Sequence, residues 1–267
     1  MRRFGLVGRT LAHSFSADYF ADKFRREGIG DCSYALYELP SVDGVRELLA
    51  REPELCGFNV TIPYKREIIP LLDRLSFEAQ CIGAVNCVKR TADGCLCGYN
   101  TDIEGIHASL AQLLGGEVPD EALVLGTGGA SQAVQYALAQ LGIPYGLVSR
   151  DAARGDYTYD NLPCEVVEHS LLIINATPVG TYPASDEAPR IPYGYVTPSH
   201  RLFDLVYNPP LTQFLDYGRQ RGARTLNGEL MLRVQADASR RIWNEQAGAG
   251  RAAAWPPGCG RPTESRR

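Results

Sequence analysis

Neither sign of charge dominates this 267-residue chain, in which 27 Lys and Arg meet 31 Asp and Glu for a formal net charge of −4. Basic blocks are absent as well, so the chain lacks the electrostatic footprint of a protein that grips duplex DNA or an anionic membrane. Nucleic acid and membrane are therefore not expected partners. No apolar run reaches the ~20 residues that span a bilayer. The start, Met1-Arg2-Arg3-Phe4-Gly5-Leu6-Val7-Gly8, meets Gly8 and Arg9 before any apolar stretch of signal-peptide length, and a cytoplasmic location is expected. Histidine is scarce: His13, His107, His169 and His200 lie far apart, and none of the eight cysteines forms a Cys-x-x-Cys pair. Structural zinc needs soft ligands at short fixed spacing, so no metal centre is expected.

What remains is 45% hydrophobic and 22% charged, the profile of a globular protein. A chain near ~250 residues tends to divide its core, and two domains are expected. Short β-rich runs alternate with amphipathic stretches, the pattern of α/β layers with largely parallel sheets. In the first half, strands are expected near 4–7, 33–39, 57–60, 84–88 and 96–98, with helices starting near Phe15, Val42, Lys65 and Ser76. A helix over 102–114 leads through Gly115-Gly116 and Pro119 into a second series, as at a passage between domains. That series reads strand 122–125, glycine-rich turn, helix to Leu141, then strands 145–149, 171–175, 202–206 and 223–226, which fits a small Rossmann-type sheet. Helical periodicity returns over 230–243, and the Ala, Gly, Pro and Arg bias from Gln246 onward predicts a disordered tail.

Leu123-Val124-Leu125-Gly126-Thr127-Gly128-Gly129-Ala130-Ser131 is an apolar strand that ends in glycines and opens into a helix. Gly126 permits the tight turn, Gly128 and Gly129 let the backbone approach a ligand, and the helix N-terminus offers free N–H groups to a pyrophosphate. The third fingerprint glycine is replaced by Ser131, and a plain βα turn is the alternative. The next strand ends Val148-Ser149-Arg150-Asp151. NAD sites usually place an acid there, whereas a 2′-phosphate is better met by arginine, so Arg150 with Arg154 favours NADP. Asp151 opposes a 2′-phosphate unless it turns away or pairs with Arg154, and a solvated turn of mixed charges is the competing reading.

Polar residues gather where the first domain's strands stop: His13-Ser14-Phe15-Ser16, Asn59-Val60-Thr61-Ile62-Pro63-Tyr64-Lys65, Val85-Asn86 and Asn100-Thr101-Asp102. In an open α/β sheet such ends face the ligand crevice. Individually these residues are also ordinary caps and turn formers. Collectively they supply donors and acceptors for a hydroxylated substrate. Oxidising an alcohol needs a base for the hydroxyl proton as hydride leaves the carbon, a task that Lys65 and Asp102 can share.

Together these motifs resemble the shikimate dehydrogenase family, with its quinate-using members, over residues 4 to 243. The resemblance rests on Gly57 to Lys65, Ile82-Gly83-Ala84-Val85-Asn86, Gly98-Tyr99-Asn100-Thr101-Asp102, the glycine turn, Asp204-Leu205-Val206-Tyr207-Asn208-Pro209, and Met231-Leu232 followed by Gln235. It implies NADPH-dependent, reversible reduction of 3-dehydroshikimate to shikimate, a step toward chorismate and the aromatic amino acids. It implies that Lys65 is the acid/base residue with Asp102 as partner. Ser14 and Ser16 would hold the substrate carboxylate with Tyr207, while Asn59, Thr61, Asn86 and Gln235 orient the hydroxyls. Gly126, Gly128, Gly129 and Ala130 would line the pyrophosphate, Arg150 and Arg154 the 2′-phosphate, and Gly228 would lie near the nicotinamide, with Ser149, Thr177 and Val206 as further cofactor-binding residues. The implied fold is α/β: an N-terminal substrate domain (1–101 and 228–245), a Rossmann-type NADP domain (102–227), and the C-terminal helix returning to the first. A monomer or homodimer acting on a small-molecule substrate is expected.

The chain departs from the family pattern at Ala17, at Phe20-Ala21, and at Ser149 and Asp151, the last two weakening exclusivity for NADP. A quinate/shikimate dehydrogenase that prefers NAD, and a non-catalytic sensor of the same ligands, are the alternatives. Retention of both Lys65 and Asp102 argues against the sensor, since binding alone requires no proton-transfer pair.

Overall fold

In the computed structural model, which describes residues 1–12, 14 and 16–245, two six-stranded sheets share the chain. The expected helix start at Phe15 and the tail from Gln246 fall outside those residues. The first series is β1 (Arg2–Gly8), α1 (Ser16–Arg26), β2 (Cys32–Glu38), α2 (Gly44–Arg51), β3 (Leu55–Val60), β4 (Arg74–Leu75), α3 (Phe77–Ile82), β5 (Cys87–Arg90) and β6 (Leu96–Tyr99). Its sheet has the order β2-β1-β3-β5-β6-β4. The apolar residues Phe4, Leu6 and Val7 hold β1 in the middle of the parallel part, between β2 and β3. This sheet is mixed rather than largely parallel, because β5 runs antiparallel to both β3 and β6. A short antiparallel hairpin through Asp93-Gly94 needs no crossover helix, which is why the reversal occurs there.

The helix expected at Lys65 does not form. Residues 63–68 are turns, followed by a 3-10 turn over Ile69–Leu71. Pro63 biases Ile62 away from helix, and Pro70 removes a backbone donor one turn later. The strand expected at 84–88 begins only at Cys87, which leaves Ala84-Val85-Asn86 as an irregular link at the sheet's end.

The second series is α4 (Asp102–Leu114), β7 (Ala122–Leu125), α5 (Gly129–Gln140), β8 (Tyr145–Ser149), β9 (Tyr157–Thr158), α6 (Cys164–His169), β10 (Leu172–Asn175), β11 (Arg201–Asp204), α7 (Gln213–Gln220), β12 (Arg224–Leu226) and α8 (Glu229–Asn244). All strand pairs in its sheet are parallel, in the order β12-β11-β10-β7-β8-β9. Four strand residues in each of β7 and β10 are fully buried, as expected for a sheet covered on both faces. The chain moves outward from β7 in one direction and from β10 in the other. The crevice beyond the carboxyl ends of these two strands is therefore the topological switch point.

The final helix crosses back. Trp243 of α8 stacks on Phe4 of β1 at 4.7 Å and donates Nε1–H to the Val88 carbonyl at 3.0 Å. Together with Phe20, Phe24 and Cys87 it builds a separate core cluster against the first sheet. The fold is thus α/β with an N-terminal domain, a Rossmann-type domain, and a C-terminal helix that returns to the first. Among the described residues no helix is long and apolar enough to cross a membrane, and no cluster of His, Cys, Asp and Glu could hold a metal ion.

Candidate active site

Lys65 follows β3 by a few residues and is anchored through its carbonyl, which accepts the Val85 N–H at 2.7 Å. Its Nζ donates to Asp102 Oδ2 at 2.6 Å, with side-chain exposures of 16% for the lysine and 5% for the aspartate. Such a pair is shielded from bulk water yet open on the lysine side, the condition for a proton donor that meets a ligand. Asp102 is the first residue of α4, where the unpaired N–H groups and the helix dipole favour a carboxylate. Asn86 donates Nδ2–H to Asp102 Oδ1 at 2.8 Å, and its own side-chain oxygen accepts the Thr101 N–H at 2.6 Å. These bonds fix which face of the Asn86 amide meets Asp102. Lys65, Asn86 and Asp102 are thus brought together from three segments.

Asn59 stands behind them. Its Nδ2 donates to the Asn86 carbonyl at 3.1 Å and to Ser239 Oγ at 2.8 Å, and its Oδ1 accepts the Tyr34 hydroxyl at 3.0 Å. Both amide hydrogens are therefore committed within the protein. Tyr34 is half-buried, and desolvation of its hydroxyl pushes it well above the usual tyrosine range, with Ser16 and Tyr207 close by. Ser14 Oγ accepts the Ser16 N–H at 3.3 Å, so the two serines form one local turn at the start of α1. Thr61 donates its N–H to the Val7 carbonyl at 3.0 Å, at the end of β1. Gln235 on α8 donates Nε2–H to the Leu232 carbonyl at 3.0 Å.

At the switch point, Gly126 has φ +103° and faces Thr177, whose Cγ2 lies 2.7 Å from where a Cβ would stand. A larger residue fits neither the angle nor the space. Thr177 is locked by Asn175, whose Oδ1 accepts the Thr177 N–H at 3.1 Å and O–H at 2.6 Å. Gly128 is the N-cap of α5 and offers no side-chain cap, so the N–H groups of Gly129 and Ala130 open that helix unblocked. Gly129 joins the two halves: a Cβ there would stand 3.3 Å from Lys65 Cβ. The lysine and the glycine turn are therefore adjacent.

The residues at the end of β8 fit a phosphorylated dinucleotide. Arg150 is exposed, and Arg154 donates Nη2–H to the Thr127 carbonyl at 2.8 Å, which holds its charge against the glycine turn. Asp151 turns into its own loop: Oδ1 accepts the Ala153 N–H at 3.0 Å, and its backbone N–H goes to Ser149 Oγ at 3.1 Å. Two arginines beside a free helix N-terminus, with the carboxylate engaged elsewhere, suit a pyrophosphate and a further phosphate. On the other side, Val206 donates its N–H to Asp204 Oδ1 at 3.0 Å and accepts the Gly228 N–H at 3.0 Å, so these two residues rim the crevice between β11 and α8.

Sequence reasoning passed over Tyr34 and Ser239, and used Thr101 only as part of a motif. Ser239 lies four residues after Gln235 and hence on the same helix face, a spacing that by itself marks no role. Tyr34 sits in an alternating strand and had no readable signal.

Known proteins resemble this chain along most of its length. Residues 6–88 match the family described as shikimate dehydrogenase substrate binding domain. A shikimate dehydrogenase (NADP(+)) of Methanococcus maripaludis is 34% identical over 255 residues, which cover 90% of each chain. The crystal structure of a Thermus thermophilus shikimate 5-dehydrogenase in complex with NADP(H) and shikimate superposes with a TM-score of 0.79 at 32% identity, covering 91% of this chain and 94% of that one. A quinate dehydrogenase of Corynebacterium glutamicum in complex with NAD superposes with a TM-score of 0.81 at 26% identity, covering 91% and 93%.

Proposed function

Since the chain belongs to the shikimate dehydrogenase family, we propose that it reversibly reduces 3-dehydroshikimate to shikimate with NADPH, as a step of chorismate and aromatic amino acid biosynthesis. The observation that carries this reading is the shielded Lys65/Asp102 contact beside Gly129. When bound, NADPH supplies the hydride that the ketone carbon takes up. Lys65 donates a proton from Nζ to the ketone oxygen, so carbon and oxygen together become the alcohol. In the reverse direction the uncharged amine accepts the hydroxyl proton. Asp102 holds Nζ in line throughout, and Asn86 keeps the carboxylate from rotating.

Ser14, Ser16, Thr61, Tyr207 and Gln235 surround the substrate in this reading, with Ser14 and Ser16 on its carboxylate and Asn59 supporting Asn86. Gly126, Gly128, Gly129 and Ala130 take the pyrophosphate, Ser149, Arg150 and Arg154 the 2′-phosphate, and Thr177, Val206 and Gly228 the nicotinamide side. Residues 1–101 and 228–245 form the substrate domain and 102–227 the cofactor domain of a cytoplasmic monomer or homodimer.

Loss of nicotinamide absorbance with purified protein, 3-dehydroshikimate and either NADPH or NADH tests the assignment. Rapid oxidation of NADPH is the expected result. A higher kcat/KM for quinate with NAD would transfer the assignment to a quinate dehydrogenase, and shikimate binding without turnover would make the protein a sensor.

A further inference from the structure

Ser239 is fully buried on α8, one turn beyond Gln235. A helical serine commonly returns its hydrogen to the carbonyl four residues earlier, and Ser239 Oγ does lie 2.9 Å from the Gln235 carbonyl. That bond alone would make it a packing residue. Yet the same oxygen accepts Asn59 Nδ2–H at 2.8 Å and meets Thr101 Oγ1 at 3.1 Å. Three elements from distant parts of the chain converge on one hydroxyl: the end of β3, the turn before α4, and α8.

Thr101 occupies the N-cap position of α4 but makes no side-chain cap bond. Its single hydroxyl hydrogen is instead shared between Ser239 Oγ at 3.1 Å and Asn86 Oδ1 at 3.2 Å. Forgoing a cap leaves N–H groups of the helix without a partner, so this orientation of Thr101 is favoured by contacts from outside the helix. Ser239 is the group that holds it. Asn59, anchored on the same oxygen, grips the Asn86 backbone carbonyl, while Thr101 meets the Asn86 side-chain oxygen through its backbone N–H at 2.6 Å and its hydroxyl at 3.2 Å. With both ends of Asn86 fixed, its Nδ2 points at Asp102 Oδ1, and Asp102 presents Oδ2 to Lys65.

We propose that Ser239 is a positioning residue for the Lys65/Asp102 pair, acting through Asn59, Thr101 and Asn86. The proposal rests on the reductase reading above. Without the hydroxyl, one Asn59 N–H is buried with no acceptor and the Thr101 hydroxyl loses one of its two partners, so the support of Asn86 and with it the carboxylate loosens while the substrate and cofactor surfaces stay intact. Loss therefore falls on kcat rather than KM.

The test compares full-length wild type with Ser239→Ala, Ser239→Thr and Ser239→Val, and repeats Ser239→Ala in an Asp102→Asn background, each assayed with 3-dehydroshikimate and NADPH and checked for folding by circular dichroism. Ser239→Ala is expected to lower kcat about tenfold, the scale of a small misplacement at a reacting group, with both KM values within about twofold. Thr and Val are matched in size, so a kcat several-fold higher for Thr isolates the hydroxyl from the volume. In the Asp102→Asn background the Ser239→Ala penalty should shrink below about twofold, because residues acting through one another are not additive. An active wild type with Ser239→Ala at wild-type kcat, equal rates for Thr and Val, or an undiminished penalty in the Asp102→Asn background would each overturn the proposal and leave the reductase reading standing. A folded wild type that does not turn over 3-dehydroshikimate would overturn both.

Discussion

Asp204 makes stability depend on pH in a direction opposite to that of most carboxylates. It is fully buried at the end of β11, and burial pushes its carboxyl from 3.8 to about 7, against hydrogen bonds from Thr212 Oγ1 at 2.5 Å, the Val206 N–H at 3.0 Å and Asn175 Nδ2 at 2.9 Å. The folded protein then keeps this proton up to about pH 7, while an unfolded chain releases it near 3.8. Folded molecules bind more protons in that interval, so the contribution of Asp204 falls as pH rises from about 4 to 7 and is level above it. Between pH 5 and pH 8 the loss is about 2.5 kcal/mol. Asparagine mimics the neutral acid: an oxygen still faces Asn175 and Val206, and a donor faces Thr212. Asp204→Asn should therefore lack this component. Chemical denaturation of both proteins at pH 5 and pH 8 isolates it as a difference of differences, free of every other titrating group. Equal pH dependence in the two proteins, within about 0.5 kcal/mol, would refute the reasoning. The consequence reaches the site, since Asp204 ties the loop carrying Thr177 to the turn carrying Val206.

Other outcomes follow from single contacts. Lys65→Ala should lower kcat by about two orders of magnitude or more, the scale of a general acid/base, with far less effect on NADPH binding measured by fluorescence titration. Arg150→Ala should raise the Kd of NADPH much more than that of NADH; equal losses would mean that the guanidinium stacks on adenine instead of meeting a phosphate. Trp243→Ala, which empties the site stacked on Phe4 and removes the bond to Val88, should cost about 3–5 kcal/mol in denaturant titration and loosen α8 from the first sheet. Tyr34→Phe keeps the ring stacked on Phe20 at 4.3 Å but strips a donor from Asn59, and should cost about 1–2 kcal/mol in the same titration.

The Rossmann-type half was readable because each of its main strands is a short apolar run followed by a breaker, and a parallel sheet buried on both faces writes itself that way. Its peripheral helices were not. α7 carries Gly218 in its interior, which lowers helix propensity, and its start is given away only by Thr212, whose hydroxyl accepts the Leu215 N–H at 3.4 Å. α6 is only six residues long and opens after Pro163 in a polar stretch, too short for periodicity to register. In the first half the error at Lys65 has one cause. The apolar spacing of Tyr64, Ile68 and Leu72 resembles a helix, but the prolines at 63 and 70 turn the same residues inward from a chain of turns, with Tyr64 and Ile68 fully buried.

The candidate site separates what a motif can carry from what it cannot. Lys65 and Asp102 are 37 residues apart and were both legible, because each follows a strand by a few residues, on the side where the chain topology delivers polar groups to one crevice. The bonds that orient them are of another kind. Asn59 meets Ser239 across 180 positions, and Thr101 meets it across 138. Those contacts depend on how α8 is seated, by Trp243 on the first sheet and by Arg241 on Glu104 of α4, so tertiary packing decides where a hydroxyl one turn before the tryptophan points. A serine in an amphipathic helix has no local mark of such a task. The residues assigned to chemistry here are visible in sequence because their types are unusual for their places, whereas those proposed to aim them are ordinary types whose meaning is created by tertiary packing. A search for positioning residues should therefore start from buried polar atoms with partners on three or more elements, and in this protein Ser239 is such an atom's owner.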